Sequence, residues 1–405
     1  MKARVRPTNK IHLPAGFSFS AACAGIKASG RPDLALVEAC AGTTAAAVFT
    51  KNRVVAAPLE VGRASLAASR GQVRAVIVNS GNANCATGKA GFSACHRICH
   101  ELGRFLGVVP NTVFPSSTGI IGVPLPVDKI ISTLVELAGG RETTKTAAER
   151  FARAIMTTDT TPKLASAQFS SGQALVNMLG IAKGAGMIHP QMATMLVYIF
   201  TDAAATSAEL QRVLRETCDQ TFNCISIDGD TSTNDTVLLL ASGRSGVRIN
   251  SRASRERFSS ALLQVSQSLA EQIVSDGEGV SHVIRLSVEQ ARNVEEARQV
   301  ARTVAHSLLV KTAWAGADPN WGRILAAVGR SGVAVNPGRV SILIGNQLVC
   351  RNGVACDFDE RRAHQSLSRP IREIRIRMGQ GRNSAKFLTT DLTAEYVRIN
   401  ADYST

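Results

Sequence analysis

The clearest pattern of apolar and polar residues lies near the middle of the chain. A loop that begins at Lys183 and contains two glycines and a proline runs into an apolar stretch from Met195 to Phe200. The shortness of this stretch and its β-branched and aromatic residues predict a buried strand. Thr194 therefore stands where a loop becomes a rigid element, so its hydroxyl can be held in a fixed position.

Apolar runs of this kind alternate with amphipathic helical patterns, and the sequence therefore predicts a mixed α/β fold. Further strands are predicted at 46–50, 73–79, 237–240 and 340–344. Helices are predicted at 92–106, 252–274 and 288–311, with a capped helix beginning near Ser207. Polar residues predict loops at 114–122, 155–162 and 276–279. The segment from Tyr396 to the end is apolar and aromatic enough that we expect it to be packed.

Composition narrows the class of protein. The chain has 405 residues, of which 45% are hydrophobic and 19% charged, which is typical of a globular protein with a substantial core. This length predicts one large or two medium domains. We find no apolar stretch approaching the ~18 residues of a membrane span and no apolar region of a signal peptide. The expected compartment is therefore the cytoplasm.

The nine cysteines are scattered and odd in number, which favours reduced thiols over a disulfide framework. Cys95, His96, Cys99 and His100 have a spacing that suits metal binding. The two cysteines, however, belong to the apolar stripe predicted for one helix, which comprises Phe92, Cys95, Cys99, Leu102, Phe105 and Leu106. We therefore expect no metal site.

The formal charge of +15 would suit nucleic acid or acidic substrates. The basic residues are mostly dispersed, however, aromatic residues make up only 4%, and no nucleic-acid recognition motif is present. The densest basic run, at 361–382, predicts an exposed strand with a solvated basic face. We expect no nucleic-acid partner.

Thr194 offers a specific chemistry. Its hydroxyl can attack the carbonyl of Ala193 in an N-to-O shift, and hydrolysis of the resulting ester leaves Thr194 as a new N-terminus. The freed α-amine has a pKa of about 8, closer to neutral than lysine, so it can serve as the base for the hydroxyl. A threonine that opens a buried strand is also a common structural residue, so a structural role remains the alternative.

Other polar segments could assist the same chemistry. Thr118 and Gly119 can present a hydroxyl and a backbone N–H to an oxyanion, Lys183 supplies a positive charge, and Glu278 stands between two glycines. For each of them a turn or a solvated side chain is the alternative. The segment 183–186 lacks the GxxxxGK[S/T] spacing of a phosphate loop, and 226–237 lacks the glutamate that ends a calcium loop.

Motifs spread over nearly the whole chain resemble the bifunctional glutamate N-acetyltransferase/ornithine acetyltransferase family of arginine biosynthesis. In order, they are GIKASGRPDLALVEA, VFTKNRVVAAP, VNSGNAN, SSTGIIG, IMTTDT, KGAGMIHPQMATML, IDGDTSTNDTV, SDGEG, LLVKTA, DPNWGRI and DLTAEYVRINADYST. The resemblance implies a mixed α/β sandwich, distinct from the Ntn-hydrolases, that cuts itself between Ala193 and Thr194. The products would be an α chain of residues 1–193 and a β chain of residues 194–405, paired as α2β2.

The resemblance also assigns roles to residues. Thr194 matches the nucleophile, and Thr118 and Gly119 match the oxyanion pair. The residues that match substrate-binding positions are Thr157, Lys183, Thr194, Glu278, Asn400 and Thr405.

The function expected from the resemblance is transfer of the acetyl group from N2-acetylornithine to glutamate through acetyl-Thr194. No metal or organic cofactor is expected, and acetyl-CoA remains open as a second acetyl donor. An N-terminal-threonine amidohydrolase or aminopeptidase is the alternative within enzymes. A basic nucleic-acid-binding protein is the alternative from another class.

Overall fold

Three β-sheets dominate the chain, for which we describe a computed structural model covering residues 11–171, 173–189 and 195–402. The strands are β1 (Phe17–Ala22), β2 (Leu34–Ala39), β3 (Thr44–Phe49), β4 (Ala75–Asn82), β5 (Val113–Ile120), β6 (Lys163–Ser171), β7 (Ala174–Lys183), β8 (Leu196–Thr201), β9 (Thr236–Ala241), β10 (Val283–Ala291), β11 (Ser341–Ile344), β12 (Gln347–Arg351), β13 (Val354–Ala355), β14 (Ile371–Arg377) and β15 (Asn383–Thr390).

Helices cover the outer faces of these sheets. They are α1 (Ala57–Ala68), α2 (Gly88–Leu106), α3 (Val127–Gly139), α4 (Lys145–Ala154), α5 (Ser207–Gln220), α6 (Arg252–Ser275), α7 (Val294–Ala305), α8 (Leu308–Ala315), α9 (Trp321–Gly329), α10 (Glu360–Leu367) and α11 (Ala394–Asp402). Short 3-10 turns occur at Pro110–Thr112, Phe222–Cys224 and Pro337–Arg339.

The first two sheets pack face to face. One has the strand order β1-β2-β4-β5 and the other β3-β9-β8-β7-β6. Their facing side chains, among them Phe19, Val76 and Phe200, form one apolar core. Helices α2 and α3 cover the outer face of the four-stranded sheet, and α5 and α6 cover that of the five-stranded sheet. The predicted mixed α/β sandwich is confirmed.

Strand β8 lies inside the five-stranded sheet, so the apolar stretch at 195–200 forms the buried strand that was predicted. All six of its residues are buried. It pairs antiparallel with β7 and parallel with β9, so its start is fixed from both sides. Leu196 lies opposite Lys183 on β7 and Thr236 on β9. Met195, which directly precedes Leu196 in the chain, is therefore close to Lys183.

The loop predicted at 114–122 is wrong, because Val113–Ile120 forms strand β5. Its small polar residues and Pro115 suggested a loop. Proline cannot donate to a sheet, but among the described strands β5 is an edge strand that pairs only with β4, so the missing N–H can be tolerated there. The consequence is that Thr118 and Gly119 sit on a strand end instead of a loop.

Helix predictions were correct in place and partly wrong in extent. Helix α6 matches its prediction, and α5 begins with a capping box between Thr206 and Glu209. The helix predicted at 288–311 is instead the end of β10 followed by α7 and α8. In α2, Cys95 and Cys99 are buried as predicted, but Phe92 and Phe105 are exposed.

The third sheet has the order β13-β12-β11-β14-β10-β15 and packs one face against α7, α8 and α9. Its strand β14 contains the basic run. The prediction of an exposed strand is wrong, because β14 lies between β11 and β10 and Arg372 is buried, with its guanidinium donating to the carbonyl oxygen of Trp314. Only the opposite face carries more exposed charge, at Glu373, Arg375 and Arg377.

Helix α11 ends the described chain and contains no buried residue, so the packing expected for the end of the chain does not hold through Asp402.

None of the nine cysteines forms a disulfide, and Cys85, Cys95, Cys99, Cys218 and Cys350 are buried. We find no helix in the described ranges that is both long and apolar enough to cross a membrane.

Candidate active site

Six of the predicted site residues line a single pocket of about 230 Å³. They come from the end of β5, the loop after α4, the end of β7, the turn after α6 and helix α11. They are Thr118, Gly119, Thr157, Lys183, Glu278 and Asn400. The remaining predicted site residues, Ala193, Thr194 and Thr405, lie outside the described residues.

The end of β5 presents Thr118 and Gly119 to this pocket. Lys183 Nζ donates to Thr118 Oγ1 at 3.2 Å, which leaves the hydroxyl proton of Thr118 free for another acceptor. Gly119 has φ +134°, and a Cβ at this position would lie only 2.3 Å from the backbone carbon of Gly81 on β4. Glycine is therefore required where the two strands come together, and its backbone remains accessible from the pocket.

Lys183, at the end of β7, is only 5% exposed, so the alternative of a solvated lysine is wrong. Burial lowers the pKa of its ammonium, and nearby Lys163 acts in the same direction. The carboxylates of Asp159, Asp235 and Glu278 oppose this change in pKa. Lys183 thus brings a buried amine to the wall of the pocket beside Thr118.

Asp159 connects two of the predicted segments. Its Oδ1 accepts hydrogen bonds from Lys163 Nζ at 2.6 Å and from the N–H of Gly184 at 2.7 Å, and its Oδ2 accepts from the N–H of Thr157 at 3.1 Å. Burial alone would raise the pKa of Asp159, but Lys163 and Lys183 hold it below its usual range. Thr157 and the residue after Lys183 are therefore fixed by one ionised side chain.

Lys163 extends this network to the turn that carries Glu278. Its Nζ donates to Asp276 Oδ2 at 2.7 Å as well as to Asp159, and its side chain is 1% exposed. Asp276 in turn accepts from the N–H of Thr160 at 2.9 Å and stands two residues before Glu278. One buried lysine thus joins the segments that hold Thr157, Lys183 and Glu278.

Acidic side chains also line the pocket. Asp228, Asp230, Glu278 and Tyr396 line it, and burial raises the pKa of Asp228 to about 6. Asp228 accepts from the N–H of Met187 at 2.6 Å and that of Ile188 at 2.9 Å.

Asn400 Nδ2 donates to Glu278 Oε2 at 2.9 Å, so α11 helps to orient this carboxylate. Gly186 faces the same carboxylate, and a Cβ there would lie 2.5 Å from it. The glycine therefore leaves the space that the Glu278 carboxylate occupies.

The start of β8 is anchored to the start of β9. Asp235 Oδ1 accepts from the N–H of Met195 at 3.0 Å, and the N–H of Thr236 donates to the Met195 carbonyl at 3.1 Å. Met195 directly follows Thr194 in the chain. The described residue closest in sequence to the predicted nucleophile is therefore held by Asp235, the neighbour of the pocket-lining residue Asn234.

Sequence reasoning missed several residues of this site. Asp159, Lys163, Asp228, Asp235 and Tyr396 were not singled out, because their positions depend on contacts between segments far apart in the chain. One signal was available, since the run IDGDTSTND combines acids and hydroxyls just before a strand. We interpreted it as a turn, which it forms, but Asp228, Asp230, Ser232, Thr233 and Asn234 also line the pocket.

The cysteines and histidines at 95–100, which have the spacing of metal ligands, lie on α2. Among residues 11–171, 173–189 and 195–402, no group of three or more His, Cys, Asp or Glu side chains is arranged to hold a metal ion. His96 and His100, on α2, are exposed, while Cys95 and Cys99 are buried on the core side of that helix.

Comparison with known proteins places this site in a family. The model of the ArgJ family matches residues 18–405. The "Arginine biosynthesis bifunctional protein ArgJ" of Methylococcus capsulatus is 45% identical over 395 residues, which cover 96% of each chain. The protein of the same name from Thermus thermophilus is 43% identical, over 98% of this chain and 100% of its own.

A solved structure is similar to half of this chain. The crystal structure of the arginine biosynthesis bifunctional protein from Bacillus halodurans is 39% identical, with a TM-score of 0.49 over 50% of this chain and 96% of that one. The family model covers every residue that lines the pocket. This chain belongs to the ArgJ family.

Proposed function

We propose that the chain transfers the acetyl group of N2-acetylornithine to glutamate, with Thr194 carrying the acetyl group between them. The observation that carries this proposal is the meeting of Thr118, Gly119, Lys183 and Glu278 in one pocket, where Lys183 pairs with Leu196 at the start of β8. The family is one of acetyl-transferring enzymes of arginine biosynthesis, which favours this function over an amidohydrolase or a nucleic-acid-binding protein.

The proposal includes cleavage of the chain between Ala193 and Thr194 into residues 1–193 and 194–405. Both parts contribute to the five-stranded sheet, where β9 and β8 from the second part lie between β3 and β7 from the first. The backbone hydrogen bonds of β3–β9 and β7–β8 would therefore hold the two parts together after the cut. We further propose that they assemble as α2β2.

The transfer would proceed in two half-reactions. The Thr194 α-amine takes the hydroxyl proton as Oγ attacks the acetyl carbonyl, and the Thr118 hydroxyl and the Gly119 N–H stabilise the oxyanion. The amide C–N bond then breaks, the proton passes to the departing amine, and ornithine leaves. Glutamate's amine attacks the ester in the second half-reaction and restores the free hydroxyl. These steps require no metal or organic cofactor.

The charge distribution of the pocket suggests how the substrates would bind. Lys183 is the cation that would meet an α-carboxylate, and Glu278 with neighbouring Asp228 would receive the ammonium end of ornithine. Thr157, which also lines the pocket, offers a further hydroxyl to a substrate. Acetyl-CoA would be a second donor if its acetyl group reached the same threonine.

Thr118→Val is expected to lower kcat by about 10²–10³-fold, because it removes one oxyanion donor while keeping the shape of the side chain. Ser116→Ala is the matched control, since Ser116 also lies on β5 but does not line the pocket. Steady-state kinetics with acetylornithine and glutamate measure both variants. Retention of the parent kcat by Thr118→Val would remove Thr118 from the oxyanion site.

Ornithine release with and without glutamate tests the proposed function itself. We expect about one ornithine per active site without glutamate, followed by steady turnover when glutamate is added, because the acetyl-enzyme waits for an acceptor. Ornithine and N-acetylglutamate should then appear in equal amounts, with ping-pong kinetics. Ornithine release at an undiminished rate without glutamate would instead identify a hydrolase.

A further inference from the structure

The segment 184–188, which we call the pocket loop, follows β7 and forms part of the pocket wall. Gly186 and Met187 line the pocket, and Lys183 directly precedes the loop. Met187 has φ +57°, a left-handed conformation that residues other than glycine adopt at a cost in energy. Such a conformation persists only where surrounding contacts stabilise it. The pocket loop therefore depends on a contact from outside itself.

Asp228 supplies this contact. Its Oδ2 accepts from the N–H of Met187 at 2.6 Å, and its Oδ1 accepts from the N–H of Ile188 at 2.9 Å and from that of Asp230 at 3.2 Å. A left-handed residue turns the chain so that successive backbone N–H groups can point at one anion. The carboxylate of Asp228 is the acceptor of both N–H groups, and it thereby fixes the turn at Met187.

The pocket loop in turn holds Glu278. The N–H of Glu278 donates to the Ala185 carbonyl oxygen at 2.9 Å, and Gly186 lies against the Glu278 carboxylate. The first residue of the loop is held separately, because the N–H of Gly184 donates to Asp159 Oδ1 at 2.7 Å. Ala185 and Gly186 thus stand between two anchors, Asp159 at the start of the loop and Asp228 at its end.

We propose that Asp228 is a positioning residue for both half-reactions, because it holds the pocket loop against Glu278. This inference rests on the proposed function. The wall formed by Gly186, Met187 and Glu278 borders the pocket whichever substrate is bound. Attraction between the Asp228 charge and the ammonium end of ornithine would concern the acetyl donor alone. The two roles of Asp228 can therefore be separated by measuring each substrate.

The pocket loop has a further attachment that does not involve the Asp228 side chain. The carbonyl oxygen of Ile188 accepts from the N–H of Ile227 and from Ser226 Oγ, each at 2.9 Å. Removing the carboxylate of Asp228 leaves these bonds in place. We therefore expect Asp228 variants to fold, with the loss confined to the turn at Met187.

Asp228→Ala tests the proposal through the kinetics of each half-reaction. The values of kcat/KM for acetylornithine and for glutamate are measured separately. Rates are divided by the ornithine released without glutamate, so that only active chains are counted. We expect both values to fall about 10- to 100-fold, because a displaced pocket wall misaligns either substrate. Asp228→Asn is also uncharged but keeps one acceptor oxygen, so it should lose less.

Hydrogen exchange read by mass spectrometry tests the hold on the loop without relying on activity. The amides of Met187 and Ile188 should exchange faster in Asp228→Ala than in the parent, because both have lost their acceptor. Asp202→Ala is the matched control. Asp202 is 2% exposed, accepts from the Asn177 N–H at 2.8 Å and does not line the pocket.

The control should keep both kcat/KM values and the exchange at 187–188, and melting temperatures should show that both variants fold. A fall confined to acetylornithine would limit Asp228 to binding the ammonium group, and unchanged kinetics would remove it from the site. Unchanged exchange at 187–188 would show that it does not hold the loop. Each of these results overturns the proposal. Failure of the proposed function would appear in the parent instead, as ornithine release that does not need glutamate.

Discussion

Thr194→Ala is expected to abolish both chain cleavage and acetyl transfer. The variant keeps the backbone at the start of β8 but has no hydroxyl to attack Ala193 or the acetyl group. Intact mass should show one full-length chain of 42.8 kDa, where the parent shows the two fragments 1–193 and 194–405. Ornithine formation from acetylornithine should fall to background.

Two further variants make this result specific to the Thr194 hydroxyl. Thr194→Ser restores a hydroxyl and should again be cleaved. Thr201→Ala removes another threonine hydroxyl, which is buried at the far end of β8 and donates to the carbonyl of Asn177, and it should leave cleavage intact. An unbroken Thr194→Ala chain that still turns over at the parent rate would contradict the proposed role of Thr194.

Lys163→Met is expected to lower the free energy of unfolding by about 3–5 kcal/mol, because it leaves the buried carboxylates of Asp159 and Asp276 without their shared cation. Methionine has a similar length, so the loss reflects the missing charge. Urea unfolding in the Thr194→Ala background, at one protein concentration, measures this change on an uncut chain. A loss below about 1 kcal/mol would contradict the prediction.

Lys145→Met is the control for removing a lysine charge. Lys145 lies 3.8 Å from Glu149 on α4, but its side chain is 52% exposed, so the loss should be about 1 kcal/mol or less. Adding Asp276→Asn to Lys163→Met should recover part of the stability, since one of the two unpaired charges is then removed. In cleaved protein, Lys163→Met should also lower kcat/KM, because Asp159 and Asp276 position the segments of Thr157, Lys183 and Glu278.

Local patterns were sufficient wherever one segment determined its own structure. The apolar stretch before Thr201 forms β8, and helix α6 runs over nearly the predicted range. They failed where a distant partner decided the outcome. The residues 114–122 look like a loop until β4 pairs with them, and 288–291 continue a helical pattern until β14 and β15 extend a sheet through that segment.

The candidate site shows the same division. Motifs that resemble the family identified Thr118, Gly119, Thr157, Lys183, Glu278 and Asn400, and all six meet in one pocket. Asp159, Lys163 and Asp235 carry no signal in a short motif. Their significance comes from burial and from charges that approach within 3 Å across more than 100 residues of sequence, as between Lys163 and Asp276.

The sequence by itself determined the alternation of strands and helices, the identity of the groups able to perform acyl chemistry, and the family to which they point. These follow from side-chain type and local spacing, which are written in the order of residues. Only the tertiary structure decided that Lys183 is buried, that Lys163 unites three pocket segments, and that Asp235 holds the amide after Thr194. Burial and charge pairing depend on distances between remote segments, and those distances exist only once the sheets have assembled.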